Sequence, residues 1–315
     1  MAIIIEDLVA IIIKVDKMSS VNSEAEAVDT TCCASCGIAE VDDTKLVPCD
    51  GCDLVKYCSD SCRQDHRSQH EVACKVRAAA LRDEILFKQP ESSFLGDCPI
   101  CFLPFQINNL DKPMLSSCCS TYICEGCAYA HLLRKIDSTC PFCRHPVPAT
   151  DEETRKNDMK RVAANDPLAL MEFGREIAKK DKQNGFKYLT KAAELGNADA
   201  HYELSVMYEK DEMKEMHHLE KAAIRGHPDA RYNLGVCEEN NGRVDRAVKH
   251  WIIAANLGHD PSIQALKNGY KYGDVTKDDF AAALRAHHAA VKATKSPQRE
   301  TAAKFYAVHR RMARK

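Results

Sequence analysis

Five pairs of cysteines, each pair separated by two residues, constrain this chain more than any other feature. They are Cys33/Cys36, Cys49/Cys52, Cys98/Cys101, Cys124/Cys127 and Cys140/Cys143. Of 17 cysteines, only Cys237 lies beyond Cys143. Two residues between thiols let a tight turn present both to one ion at about 2.3 Å. A redox motif also uses a single such pair, but five of them, with further Cys and His at ligand spacing, describe structural zinc. The disulfide alternative needs an oxidising compartment. The N-terminal stretch MAIIIEDLVAIIIKVDKM offers no route there. Glu6 and Asp7 interrupt its apolar run, and the piece from Leu8 to Ile13 is far short of a membrane span. Residues 1–31 read as a flexible extension, or as an over-long reading ahead of a true start at Met18.

The 315 residues are 45% hydrophobic and 29% charged, a globular composition with room for two or three domains. The formal net charge is −2, whereas chains built around a nucleic-acid backbone carry a marked basic excess. Nucleic acid and membrane are therefore disfavoured as partners. A reducing compartment, cytoplasmic or nuclear, is expected.

In the first cluster CASC (33–36), CDGC (49–52) and YCSDSCRQDHRSQHEVAC (57–74) follow one another. His70 and Cys74 are four residues apart, on one face of a helix. This order of ligands resembles a MYND-type zinc finger, with a domain over 32–75. The resemblance implies interleaved sites: Cys33, Cys36, Cys58 and Cys62 on one zinc, Cys49, Cys52, His70 and Cys74 on the other. His66, one helical turn from Cys62 and from His70, is a rival ligand, with a surface histidine as the alternative. MYND fingers bind short proline-rich peptides and usually carry a Trp three residues before the ligand His, where this chain has Arg67.

The second cluster runs CPIC (98–101), SCCSTYICEGC (117–127) and CPFCR (140–144). It resembles a RING finger, with a domain over 97–147. Family pairing would put Cys98, Cys101, Cys124 and Cys127 on one zinc, and Cys118, Cys119, Cys140 and Cys143 on the next. That makes four Zn2+ ions per chain. Thr121 stands where most RINGs have a histidine, so the resemblance requires Cys118 in its place. A RING grips a ubiquitin-conjugating enzyme and holds its ubiquitin thioester ready for attack, with no catalytic residue of its own. The resemblance assigns Ile100, Leu132 and Pro141 to the conjugating enzyme and Arg144 to the joint contact with ubiquitin. Read from the residues alone, Arg144 is also a plain solvated charge. Tyr129, Leu132, Leu133 and Ile136 form one helical stripe, of which Leu133 and Ile136 are expected to pack the zinc core. Two thiols remain, Cys32 and Cys237, and the latter reads as a packed core thiol in a helical pattern.

Between the fingers KVRAAALRDEILFKQP (75–90) continues the helix of His70 and Cys74 and stops at Pro90. A helical linker is thus expected over 76–96, with ESSFLGD as its flexible joint. A second linker, 148–164, precedes alanine-rich sequence that repeats itself over 165–295. Ala169, Ala200, Ala230 and Ser262 are equivalent, at intervals of 31, 30 and 32, with Phe173, Leu204, Leu234 and Leu266 in register. A fixed period near thirty marks a solenoid of helix pairs. Ala192/Ala193, Ala222/Ala223 and Ala254/Ala255 allow close helix approach, and Gly196, Gly226 and Gly258 end each second helix. Asp166-Pro167 and Asp260-Pro261 read as an N-cap followed by a proline in the first turn. The pattern resembles Sel1-like repeats, relatives of the tetratricopeptide fold, which implies a concave face for peptides or protein surfaces; a spacer or dimerisation role is the alternative. His217-His218 and His287-His288 read as exposed helix residues. The basic tail, 296–315, reads as a frayed end.

The expected fold is mostly α: two small zinc-stabilised cross-brace fingers followed by an α-helical solenoid, an arrangement resembling the MYND/RING/Sel1 repeat proteins of diatoms. The function this implies is a RING-type ubiquitin ligase that recruits a conjugating enzyme through the second finger and protein substrates through the repeats. A non-enzymatic, zinc-dependent interaction adaptor is the competing reading. Methyltransfer, a chemistry found beside some MYND fingers, has no room before the second cluster.

Overall fold

The computed structural model describes residues 32–41, 45–107, 113–134, 138–208 and 211–312. The N-terminal extension and Ile136 lie outside the described residues. The chain divides into two compact units after Asp83.

In the first unit strands β1 (Val47–Pro48) and β2 (Lys56–Tyr57) pair antiparallel, with Val47 opposite Tyr57. The long helix α1 (Asp60–Leu86) follows, its last three residues, from Glu84, belonging to the second unit. Ser59 starts it, its hydroxyl accepting the Cys62 N–H at 3.3 Å, as a capping side chain does. The apolar core of this unit is small, built from Cys33, Leu46 and Tyr57. So little buried surface leaves stability to the cysteine sites.

The second unit begins at Glu84 and is mostly helical. Hairpin β3 (Met114–Ser116) and β4 (Thr121–Ile123) leads into α2 (Glu125–Leu133). Then come α3 (Asp151–Ala163), α4 (Pro167–Ala178), α5 (Lys182–Glu194), α6 (Ala198–Met207) and α7 (Glu212–Ile224). Helices α8 (Pro228–Asn240), α9 (Val244–Asn256), α10 (Asp260–Tyr272), α11 (Lys277–Ala293) and α12 (Pro297–Met312) complete it. From α4 to α11 each helix packs on the next. Ala200, Ala230 and Ser262 are fully buried at equivalent places, followed in register by buried Leu204, Leu234 and Leu266. Asp166, Asn197 and His227 cap α4, α6 and α8 by accepting main-chain N–H groups. Among the described residues no helix is long and apolar enough to cross a membrane.

The structure adds to or departs from the sequence expectations at several places. The joint ESSFLGD is held: the Phe94 N–H donates to Gly226 O at 3.1 Å and its ring stacks on His227 at 4.3 Å. Just before it, α1 ends at Leu86, which is buried against Leu219, Ala222, Ala223, Ala230 and Leu234. Residues 151–163 form a helix, because Thr150 accepts the Glu153 N–H while the Glu153 carboxylate accepts the Ala149 N–H. The basic tail is helical too, with Ala302 fully buried. The histidine doublets, lastly, are engaged on one side. His218 Nδ1 lies 2.9 Å from His201 Nδ1, and buried His287 meets Asp260 at 2.8 Å.

That last pair belongs to a series. His227 meets Asp199 at 3.3 Å and His259 meets Asp229 at 3.2 Å. Each rung joins the first turn of one helix to the next repeat. The cap of α10 is accordingly His259, one residue earlier than the Asp260 read from the sequence.

Candidate metal centres

Four of the five cysteine pairs sit on the same kind of turn. The N–H of Gly37 donates to Cys33 O at 2.8 Å, Asp53 to Cys49 O at 3.2 Å, Phe102 to Cys98 O at 2.8 Å and Arg144 to Cys140 O at 2.9 Å. Each donor residue has positive φ: 74°, 55°, 56° and 61° in that order. The left-handed residue closes the turn and leaves both cysteines of the pair directed to one point. Glycine adopts it freely, and the three side-chain-bearing residues accept strain of about 1–2 kcal/mol each. The fifth pair uses a helix start instead. Cys124 caps α2, and its sulfur accepts the Cys127 N–H at 3.4 Å.

The chain thereby gathers its predicted ligands into four sets: Cys33, Cys36, Cys58 and Cys62; Cys49, Cys52, His70 and Cys74; Cys98, Cys101, Cys124 and Cys127; Cys118, Cys119, Cys140 and Cys143. Within a set every ligand atom lies within 4.8 Å of the others. Sulfurs of Cys36 and Cys58 are 3.5 Å apart, Cys49 and Cys74 3.7 Å, Cys101 and Cys124 3.7 Å, and Cys118 and Cys143 3.3 Å. Cys52 Sγ stands 3.0 Å from His70 Nε2. A tetrahedron with Zn–S bonds of about 2.3 Å needs sulfurs nearly 4 Å apart, whereas a disulfide needs about 2.05 Å. Adjacent Cys118 and Cys119 both join one set, 4.0 Å apart, at the tight end of the β3–β4 hairpin.

The protonation pattern calls for a cation. Burial raises the Cys33 thiol, but main-chain donors from Cys36, Cys58 and Ser35 outweigh it and bring it down to about 6. In the same set the Cys36, Cys62 and Cys33 sulfurs push Cys58 up to about 12. Cys140 falls to about 6 while burial and its neighbours push Cys118 up. Cys101 falls to about 7 while burial and Cys124 raise Cys127. Within these sets the crowded sulfurs oppose one another's ionisation. A divalent soft-ligand cation relieves that repulsion. Tetrahedra of four sulfurs, or of three sulfurs and one imidazole nitrogen, are the donor sets of structural zinc. Four such groups correspond to four Zn2+ ions per chain.

His66, the rival ligand, is outside these sets. Its Nδ1 lies 3.1 Å from the Tyr57 hydroxyl and its ring stacks on His70 at 5.7 Å. Cys237 is half-buried against the cluster around Leu234, and burial raises its pKa. On the second finger Ile100 and Leu132 are 37% and 58% exposed, Pro141 is half-buried and Arg144 is exposed. Leu133, expected in the zinc core, is instead 62% exposed. Tyr129 from the same stripe faces the C-terminal helix, 4.7 Å from Phe305. Sequence reasoning missed that contact, and it also missed Arg299, which reaches a ligand sulfur from α12.

No curated protein matches the chain. The family model for the MYND finger matches residues 33–74, which span the first two ligand sets from Cys33 to Cys74. Residues 33–74 are therefore a MYND zinc finger, followed by a second pair of four-cysteine centres and a helical, repeat-like region.

Proposed function

We propose that this zinc-binding MYND-finger protein is a ubiquitin ligase of the RING type. The second finger recruits a ubiquitin-conjugating enzyme, and the repeats, similar to Sel1 repeats, recruit protein substrates in the cytoplasm or nucleus. The observation that carries this reading is the exposure of Ile100, Leu132 and Arg144 on the second finger, the last of them directly after the final zinc ligand. Phe102, Leu133 and Phe142 are exposed on the same finger and add to its apolar surface. Pro141 sits in the turn that Arg144 closes through its N–H to Cys140 O. No group here forms a covalent intermediate. Ile100, Leu132 and Pro141 supply apolar contact, and the Arg144 guanidinium supplies a fork of fixed donors suited to two carbonyls at once.

The test is discharge of ubiquitin from a panel of charged conjugating enzymes. Ile100→Ala abolishes enzyme binding with zinc content unchanged. Arg144→Ala leaves binding nearly intact and slows discharge, because it removes an interaction made in the activated state. The competing reading, a non-enzymatic adaptor, is favoured by the MYND finger itself, a type that engages other proteins. In that case the wild type discharges ubiquitin from no enzyme of the panel and both variants are silent.

A further inference from the structure

Helix α12 reaches the second finger through Arg299, a side chain only 9% exposed. Its Nη1 donates to Pro104 O at 2.5 Å and to Thr294 O at 2.9 Å. Its Nη2 donates to Leu103 O at 2.9 Å and to the Cys101 sulfur at 3.4 Å. The neighbouring Gln298 donates to Gly126 O at 2.9 Å and lies 3.8 Å from the Cys127 sulfur. Gly126 makes this approach possible. A Cβ there would stand 2.8 Å from Arg299 Cγ and 3.1 Å from its main-chain N and Cα. The ring of Tyr129 closes the far side against Phe305 and Tyr306.

Four thiolates around one Zn2+ leave a net charge of about −2 in a largely buried centre, a costly arrangement without a compensating cation or hydrogen bonds. Arg299 supplies both. A guanidinium also suits the geometry. One fork spans a ligand sulfur and the carbonyls of Leu103 and Pro104 in the loop that follows Cys101, which a lysine ammonium cannot do in a single plane.

We propose that Arg299 is a positioning residue of the third metal centre, so that retention of zinc by Cys98, Cys101, Cys124 and Cys127 depends on the last helix of the chain. The finger on this account is completed by a residue almost two hundred positions downstream of its ligands. This holds whether or not the finger acts on ubiquitin.

The experiment uses the full-length, zinc-loaded protein and follows metal transfer to a chromogenic chelator, with alkylation and mass spectrometry naming the freed cysteines. In Arg299→Met, one zinc of the four leaves about 10–100-fold faster, the usual effect of losing an outer-sphere partner, and Cys98, Cys101, Cys124 and Cys127 are alkylated first. Arg299→Lys restores part of the retention. Gly126→Ala, which displaces Arg299 without altering charge, reproduces the faster loss at the same four cysteines. In the cobalt-substituted protein Arg299→Met shifts the thiolate-to-cobalt absorption of one centre, a change that mere loosening of α12 by Phe305→Ala does not give. Wild-type release in Arg299→Met and in Gly126→Ala overturns the assignment. So does faster release from all four centres together with loss of helical dichroism, or an identical cobalt shift in Phe305→Ala. Should Arg299→Met fail to fold, Gly126→Ala decides alone.

Discussion

Arg231 is 1% exposed, and among the described residues no carboxylate pairs with it. Its guanidinium donates to Leu86 O and, at 2.9 Å, to Ala223 O. Both carbonyls belong to the last turns of helices, α1 and α7, where partial negative charge collects. Burial lowers its pKa to about 10, so it remains a cation at neutral pH. Arg231→Met leaves those carbonyls without their donor and is expected to cost about 2–4 kcal/mol, measurable by urea unfolding. An unchanged midpoint would show that the carbonyls find other donors. Beside it, burial and then the charges of Arg231 and Arg246 push fully buried His250 down to about 3. An unfolded histidine titrates near 6.5, so below that pH the unfolded chain takes up the extra proton. The contribution of His250 is therefore complete above about 6.5 and drains toward 3, by roughly 1.4 kcal/mol per pH unit. His250→Gln, which keeps an acceptor for Arg231, should flatten the fall in stability between pH 6 and 4 relative to wild type. Parallel curves for the two proteins would count against this account.

At the scale of the element, close approach governs the repeats. Ala222 and Ala223 are fully buried where α7 meets α8 and the residues around Leu86. Ala222→Leu forces extra volume into that contact and is expected to destabilise by about 1–3 kcal/mol, read as a lower thermal midpoint. A neutral result would mean the alanine seam has room to spare. The same seam explains which elements were legible. Ala200, Ala230 and Ser262 announce themselves because a repeat shows its own register, and CxxC pairs because both ligands are local. Helix α12 was misread since its basic charge suggested solvent, while its partner Tyr129 lies far away in the chain. A signal was present in Ser296, whose hydroxyl accepts the Arg299 N–H, followed by Pro297 in the first turn. The acidic start of α3 hid its Thr150–Glu153 capping pair in the same way. The Asp–His rungs were illegible for a different reason. Each joins groups of consecutive repeats, and neither residue alone departs from an ordinary surface helix.

Across the whole molecule, metal and repeats share the work of stability unequally. Metal analysis of reduced protein should give four zinc ions per chain, and two or fewer would contradict the four ligand sets. Structural zinc contributes on the order of 10 kcal/mol per site in small fingers, so chelation is expected to unfold the two fingers, 33–74 and 98–143. The repeat core around Leu170, Leu189 and Leu204 contains no ligand and keeps its helices. It does lose the Tyr122 hydroxyl on Glu172 and the Arg161 guanidinium on Cys118 O, so its melting temperature should fall. Far-ultraviolet dichroism in excess chelator measures both effects, and complete loss of helix would refute the division. A close approach in the repeats has an optical consequence. The chain has one tryptophan, Trp251, 4% exposed in α9. It packs over Gly235, where an added Cβ would stand 2.3 Å from the indole nitrogen, and it donates to Tyr232 O at 3.3 Å. Its emission therefore arises from one dry place in the repeats, blue-shifted while α8 and α9 remain paired and red-shifted once they part. Stripping the fingers of zinc leaves that colour unchanged, so a fluorimeter distinguishes a protein that has lost its metal from one that has lost its fold.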